Sequence, residues 1–249
     1  MRKQRPMTAD DYLRLAIRTG SPVDASGYAE KGLRAAGDRI DPETRLLLLR
    51  EIYRSHLYAR RLRSAHAIAR KMVRVGVAQE LAHADLGRAC AAMGWWVRAA
   101  QAYRIAARNA PASRRSLHWA QVGTALHHAD LFDEALSAYG RAVRWSLGAR
   151  ALHRAQGLLA QVDRGDDPTT IEGLPELLDE LRDARCGEGY GRYVRGLLHL
   201  SLDQRDEARR NLVAFLKRNV GDPMRATTLA AEIRRARVTL RTMSPPRLG

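Results

Sequence analysis

The residues of this sequence that could do chemistry are few and scattered. His127 and His128 are adjacent, and adjacent side chains on a helix point about 100° apart, so they are poorly placed to chelate one metal ion together. Residues 187–191 are glycine-rich, but no strand is predicted before them, as a dinucleotide-binding loop requires. No P-loop, G-x-S-x-G or H-E-x-x-H motif occurs. We therefore expect no enzymatic activity, no cofactor and no metal site.

The composition indicates a soluble protein of a reducing compartment. The chain has 249 residues and two cysteines, too few for a disulfide scaffold or a zinc site made of cysteines alone. Its basic start is not followed by an apolar segment, and the apolar run 46–49 is far shorter than a membrane-spanning helix. Its basic residues are nearly all arginine, which is typical of a GC-rich genome. We expect a bacterial, cytoplasmic protein.

The elements that would position any binding residues are repeated helices. Two segments, 80–113 and 116–149, carry the same residue types at the same spacings: Leu86-Gly87, Ala99, Tyr103 and Ala106 in the first, and Val122-Gly123, Ala135, Tyr139 and Ala142 in the second. This pattern resembles the tetratricopeptide (TPR) repeat, a helix-turn-helix unit of about 34 residues. The glycine and the first alanine let the two helices of a unit approach closely, and the larger residue fills the space against the next unit.

The same pattern extends over most of the chain. Units are predicted near 6–39, 46–79, 80–113, 116–149 and 189–222, and a degenerate unit over 150–188 has an irregular segment at 163–175. Ser21-Pro22, Asp41-Pro42 and Asp222-Pro223 each place a capping side chain before a proline that suits the first turn of a helix. Residues 223–243 show a helical pattern and are expected to cap the last unit.

These observations predict one all-α domain over residues 1–249. No segment shows the sustained alternation of a strand. The resemblance implies a right-handed α-solenoid of about six TPR-like helix-turn-helix units and a C-terminal capping helix.

Charge is distributed unevenly along the chain. The formal net charge is +16, from 43 Lys and Arg against 27 Asp and Glu. Residues 45–74 and 223–249 are rich in arginine, whereas 166–183 hold seven acidic residues and one arginine. This patterning is compatible with a solvated basic face, with a surface for an acidic partner, or with an acidic segment that meets a basic patch in the same chain or in another copy.

The resemblance also implies where a partner would bind. The first helices of TPR units line a concave groove, and the residues at the matching positions are Arg50, Arg54, Tyr58, Arg88, Thr124, His127, His128, Tyr190 and Tyr193. Arg50 and Arg54 are i,i+4 neighbours on one helical face, and Arg88 occupies the same row one unit further on. Such a row is suited to bind a carboxylate.

We therefore expect a non-catalytic scaffold or adaptor that binds a partner protein, or an acidic or apolar peptide segment, in its concave groove. One alternative is a nucleic-acid-associated protein that uses the arginine-rich surface, although aromatic residues for base stacking are sparse. Another is a structural subunit that assembles with copies of itself. No membrane span is expected.

Overall fold

The computed structural model of the chain describes residues 5–184 and 189–243, and within them all regular structure is helical. The all-α solenoid predicted from the sequence is thereby confirmed. The fourteen α-helices of the described residues are α1 Ala9–Arg18, α2 Pro22–Ala36, α3 Pro42–Tyr58, α4 Leu62–Val75, α5 Gln79–Ala92, α6 Trp96–Asn109, α7 Ala112–His127, α8 Phe132–Trp145, α9 Arg150–Arg164, α10 Leu174–Asp183, α11 Tyr190–Ser201, α12 Arg205–Asn219, α13 Pro223–Thr228 and α14 Ala230–Thr242. Two 3₁₀ turns, Gly37–Arg39 and Pro168–Thr170, complete the regular structure of those residues.

Capping side chains begin several helices where the sequence predicts them. The side chains of Ser21, Asp41 and Asp222 each accept a hydrogen bond from the backbone amide three residues on. In each case a proline occupies the next position, where its missing amide proton costs nothing. These caps fix the starts of α2, α3 and α13.

Close packing between the two helices of a unit depends on one small residue. A Cβ atom added at Gly87 would lie 2.7 Å from the ring of Tyr103, and one added at Gly123 would lie 2.7 Å from the ring of Tyr139. Gly196 has the same relation to Leu212. The glycine and the larger residue of the repeat pattern therefore contact each other in these three units.

Four of the turns inside the units contain one residue with a positive φ angle. Arg60, Gly94, Asp130 and Asp203 all have positive φ angles, between 55° and 75°. Each lies in the turn that joins the first helix of a unit to its second helix. This common turn keeps consecutive units in the same geometry, so that α3, α5, α7 and α11 occupy equivalent positions in their units.

The degenerate unit keeps its first helix and changes its second. Gly165, with a φ of 114°, ends α9, and the segment that follows contains the 3₁₀ turn Pro168–Thr170. Helix α10 then buries Leu174, Leu177, Leu178 and Leu181 against the C-terminal core and exposes its acidic side chains. Of the two cysteines, Cys90 is buried in the core, and Cys186 lies outside the described residues.

The C-terminal segment forms two helices rather than one and reaches well beyond the last unit. Ile233 and Ala236 of α14 belong to the core that α9, α10, α11 and α12 build. Helix α13 contacts α3 and α5, and Met224 packs against the core of the α3–α5 region. The chain therefore crosses from the last unit to the first helices of much earlier units.

Candidate partner-binding groove

The arginine row predicted from the sequence is engaged by the protein itself. Asp85 of α5 is 1% exposed, and its carboxylate accepts a hydrogen bond of 2.8 Å from Nε of Arg50 and a second from Nη1 of Arg88. Tyr53 donates to the backbone oxygen of the same residue at 2.8 Å. Arg50 and Arg88 do bind a carboxylate together, but it belongs to the chain and joins α3 to α5.

The remaining residues predicted on α3 stay open to solvent. Arg54 is exposed and pairs with Glu51 of its own helix at 3.3 Å. Tyr58 is 40% exposed, and Leu47 on the same helix is also exposed. An exposed aromatic ring, an aliphatic side chain and a guanidinium group on one helix form a surface that a partner could contact.

The middle of the groove is held by an ionic cluster around Asp163 of α9. Both oxygens of this carboxylate accept hydrogen bonds from the guanidinium of Arg235 in α14, at 2.6 and 2.7 Å. Nε2 of His127 lies 2.8 Å from the same carboxylate. Burial alone would raise the pKa of Asp163, but the hydrogen bonds from His127 and Arg235 lower it to about 2. The cluster therefore ties α14 to α7 and α9.

A second polar cluster surrounds Glu232, one turn before Arg235. Glu232 is 5% exposed, and its Oε1 lies 3.2 Å from Nε2 of His128 and accepts a hydrogen bond of 3.4 Å from Tyr190. The ring of His128 is stacked on that of Trp96, with centroids 4.4 Å apart. Burial raises the pKa of Tyr190 well above its ordinary value, and the charge of Glu232 raises it further. Burial and the neighbouring carboxylate thus both favour the protonated phenol, which donates to Glu232.

Thr124 and Tyr193, also predicted to line the groove, connect the helices at its base. Oγ1 of Thr124 accepts hydrogen bonds from Tyr139 and from Gln156, both at 3.3 Å, and so links α7 to α8 and α9. Tyr193 is buried, and its ring lies 5.2 Å from that of Phe215 in α12. These two side chains support the residues that face α14.

The structure thus places a segment of the chain in the groove that the sequence assigned to a partner. The residues that make these contacts, Asp163, Glu232 and Arg235, were not predicted from the sequence. One signal was available, because Glu232 and Arg235 lie one turn apart on α14, and Glu232 is an i,i+4 neighbour of the apolar residue Ala236. Cavities remain beside the segment, one lined by Trp96, Leu117 and Leu229 among others.

The described residues offer no arrangement suited to metal chemistry, since no three of their His, Cys, Asp and Glu side chains lie close enough together to hold an ion. Among those same residues, no helix combines the length and the apolar character needed to cross a membrane. The groove is lined by ion pairs, aromatic rings and aliphatic side chains.

Comparison with solved structures supports the fold. Two structures resemble the chain: MamA 41-end from Desulfovibrio magneticus RS-1, and the MamA RS-1 ArsTM double mutant. The first has a TM-score of 0.59 and 18% identity, over 70% of this chain and 95% of that one. The second has a TM-score of 0.57 and 17% identity, over 70% and 94%.

At this level of identity the likeness shows a shared helical-repeat fold. No protein-family model matches the chain, and a search of curated proteins finds no match.

Proposed function

We propose that the protein is a non-catalytic interaction scaffold whose concave groove binds a helical segment of a partner protein in the place of α13 and α14. One observation carries this proposal: the groove already holds a helical segment, bound by side chains at the positions that the TPR resemblance implies. His127, His128 and Tyr190 all contact that segment or the carboxylate that anchors it.

The bound segment also indicates the chemistry of the partner. Leu229 lies beside the apolar cavity, Glu232 meets His128 and Tyr190, and Arg235 meets Asp163. A partner helix with an aliphatic residue, a carboxylate and a guanidinium at intervals of three residues would satisfy the same groups. The exposed residues of α3, Arg54 and Tyr58, would lengthen the contact beyond the part of the groove that α13 covers.

Capture from the host with matched variants tests this proposal. Wild-type protein, immobilised at near-physiological salt after nuclease treatment, should retain a partner protein. An Arg235→Gln variant loosens α14 and should retain more of it, whereas an Arg54→Ala/Tyr58→Ala variant should retain less. Arg108→Ala is the control, because Arg108 is exposed on α6, a second helix of its unit.

Arg50 and Arg88 are unsuitable for this test, because removing either leaves buried Asp85 with only one of its two arginine partners. The proposal fails if the proteins retained by the groove variant and by wild type are the same in kind and amount. It also fails if nothing is retained after nuclease treatment and a parallel capture without nuclease retains only nucleic acid.

A further inference from the structure

The outer side of α14 carries a row of positive charges. Arg234, Arg237 and Arg241 are exposed at intervals of three and four residues, which places them on one face of the helix. Arg60, in the turn between α3 and α4, lies across a shallow cleft from them. None of the four guanidinium groups forms an ion pair with a carboxylate of the described residues. Like charges gathered in this way favour an anionic partner.

The floor of this basic cleft is aliphatic. Val220 and Val238 line it together with Ile233, and Val238 is 52% exposed. No Phe, Tyr, Trp or His belongs to the lining described, so bases of a nucleic acid would have no ring on which to stack. Arginines around exposed aliphatic side chains fit an acidic helix better than they fit a phosphate backbone.

The chain itself carries such a helix. Helix α10 buries its leucines and exposes a row of carboxylates on its other side: Glu172, just before the helix, and Glu176, Asp179, Glu180 and Asp183 within it. Arg182 pairs with Asp179 and Asp183, and Arg154 lies 3.5 Å from Glu180. In the ion pairs of the described residues, two arginines thus oppose five carboxylates, so the face remains acidic.

The two faces match in spacing as well as in charge. Arg234 and Arg241 are seven residues apart on α14, and Glu176 and Asp183 are seven residues apart on α10. Each pair spans a helical rise of about 10 Å. A third residue of the same charge lies three positions after the first of each pair, Arg237 in α14 and Asp179 in α10. Two such helices laid side by side bring every arginine of one row opposite a carboxylate of the other.

We propose that the basic cleft of one copy of this protein binds the acidic face of α10 of a second copy. Because the two faces are different surfaces of the same chain, the contact is heterologous and repeats from copy to copy, which gives an open chain or a closed ring. The net charge of +16 opposes association, so the contact depends on local charge pairing and weakens as salt screens it.

The proposal is tested with the full chain and two neutralised variants. One is Arg234→Gln/Arg237→Gln/Arg241→Gln, and the other is Glu176→Gln/Asp179→Asn/Asp183→Asn. All six positions are exposed, so both variants should fold, which circular dichroism and thermal melting would check. Arg63→Gln/Arg70→Gln/Arg74→Gln removes three exposed charges from α4 and is the control for net charge.

Sedimentation velocity over a range of concentrations measures the outcome. Wild-type protein and the α4 control should associate at about 0.05 M salt and dissociate toward 0.5 M, whereas each neutralised variant alone should associate at least about tenfold more weakly. A mixture of the two variants should form a 1:1 dimer and nothing larger, since it has one intact copy of each face.

Three results would overturn the proposal. These are a wild-type protein that stays monomeric at low salt, an α10 variant that associates as wild type does, and a mixture that behaves as its separate components. Binding of a single-stranded oligonucleotide by a monomeric wild type, lost in the α14 variant, would assign the cleft to nucleic acid instead. All of these measurements use the purified protein without a groove partner, so their outcome is separate from that of the partner-capture experiment.

Discussion

Asp163→Asn is the substitution that most directly tests how the C-terminal segment is held in the groove. The asparagine keeps the shape of the side chain and removes the charge that two groups, Arg235 and His127, contact. The pKa of Asp163 falls from 3.8 to about 2 in the folded protein. A shift of this size corresponds to about 2.5 kcal/mol of stability at neutral pH. We expect the variant to lose about that amount.

The pH dependence follows from the direction of the shift. A carboxylate whose pKa is lowered by folding stabilises the folded state above its unfolded pKa, and the stabilisation disappears as pH falls through the folded pKa. For Asp163 this window runs from the unfolded value of 3.8 down to about 2. About half of the contribution should be lost by about pH 3. The difference between wild type and variant should therefore shrink as the solution is acidified.

Urea unfolding of both proteins from about pH 7 to about pH 3 measures this difference, and hydrogen exchange locates it. Amide protons of α14 should exchange faster in the variant at pH 7, while those of α5 and α6 should change little. An unchanged stability at neutral pH, or a difference that stays constant down to pH 3, would refute the view that the Asp163 charge anchors α14.

Further outcomes can be checked by thermal or urea unfolding. Gly87→Ala should destabilise the protein by about 1–3 kcal/mol, because the new Cβ atom would lie 2.7 Å from the ring of Tyr103. Gly140→Ala, on an open helical surface where no atom lies within 4 Å, should instead stabilise it by about 0.5–1 kcal/mol, and equal effects at the two glycines would contradict the packing argument. Arg88→Gln should cost about 2 kcal/mol by weakening the pairing of buried Asp85, and the cost should disappear if Asp85 is already replaced by Asn.

The repeat units could be predicted from the sequence because their determinants are local. Gly87 and Tyr103 lie in the two helices of one unit, sixteen residues apart, and the same relation holds for Gly123 and Tyr139. The spacing of the residue types along the chain is therefore enough to predict which two residues come into contact. The starts of the helices could be predicted for the same reason, since a capping residue such as Asp41 accepts a hydrogen bond from a backbone amide only three residues away.

The contents of the groove could not be predicted in the same way. His128 and Glu232 lie 104 residues apart, and Asp163 and Arg235 lie 72 apart. The helical pattern of residues 223–243 is compatible with packing on any apolar surface. It therefore predicts the secondary structure but does not identify the surface on which the helices pack. Asp85 presents the same difficulty on a smaller scale, because its pairing with Arg50 depends on how two units stack.

Helix α14 connects the groove to the outer basic cleft, and this connection has a measurable consequence. Glu232 and Arg235 face the groove, whereas Arg234, Arg237 and Arg241 line the cleft with Arg60. A partner that displaces α14 from the groove must also move the cleft arginines away from Arg60. Occupation of the groove and association of copies should then oppose each other, by equal free energies in both directions.

The Arg235→Gln variant, which loosens α14 and keeps all of the cleft arginines, should therefore associate more weakly than wild type in sedimentation. Association as strong as that of wild type would show that the two surfaces act independently.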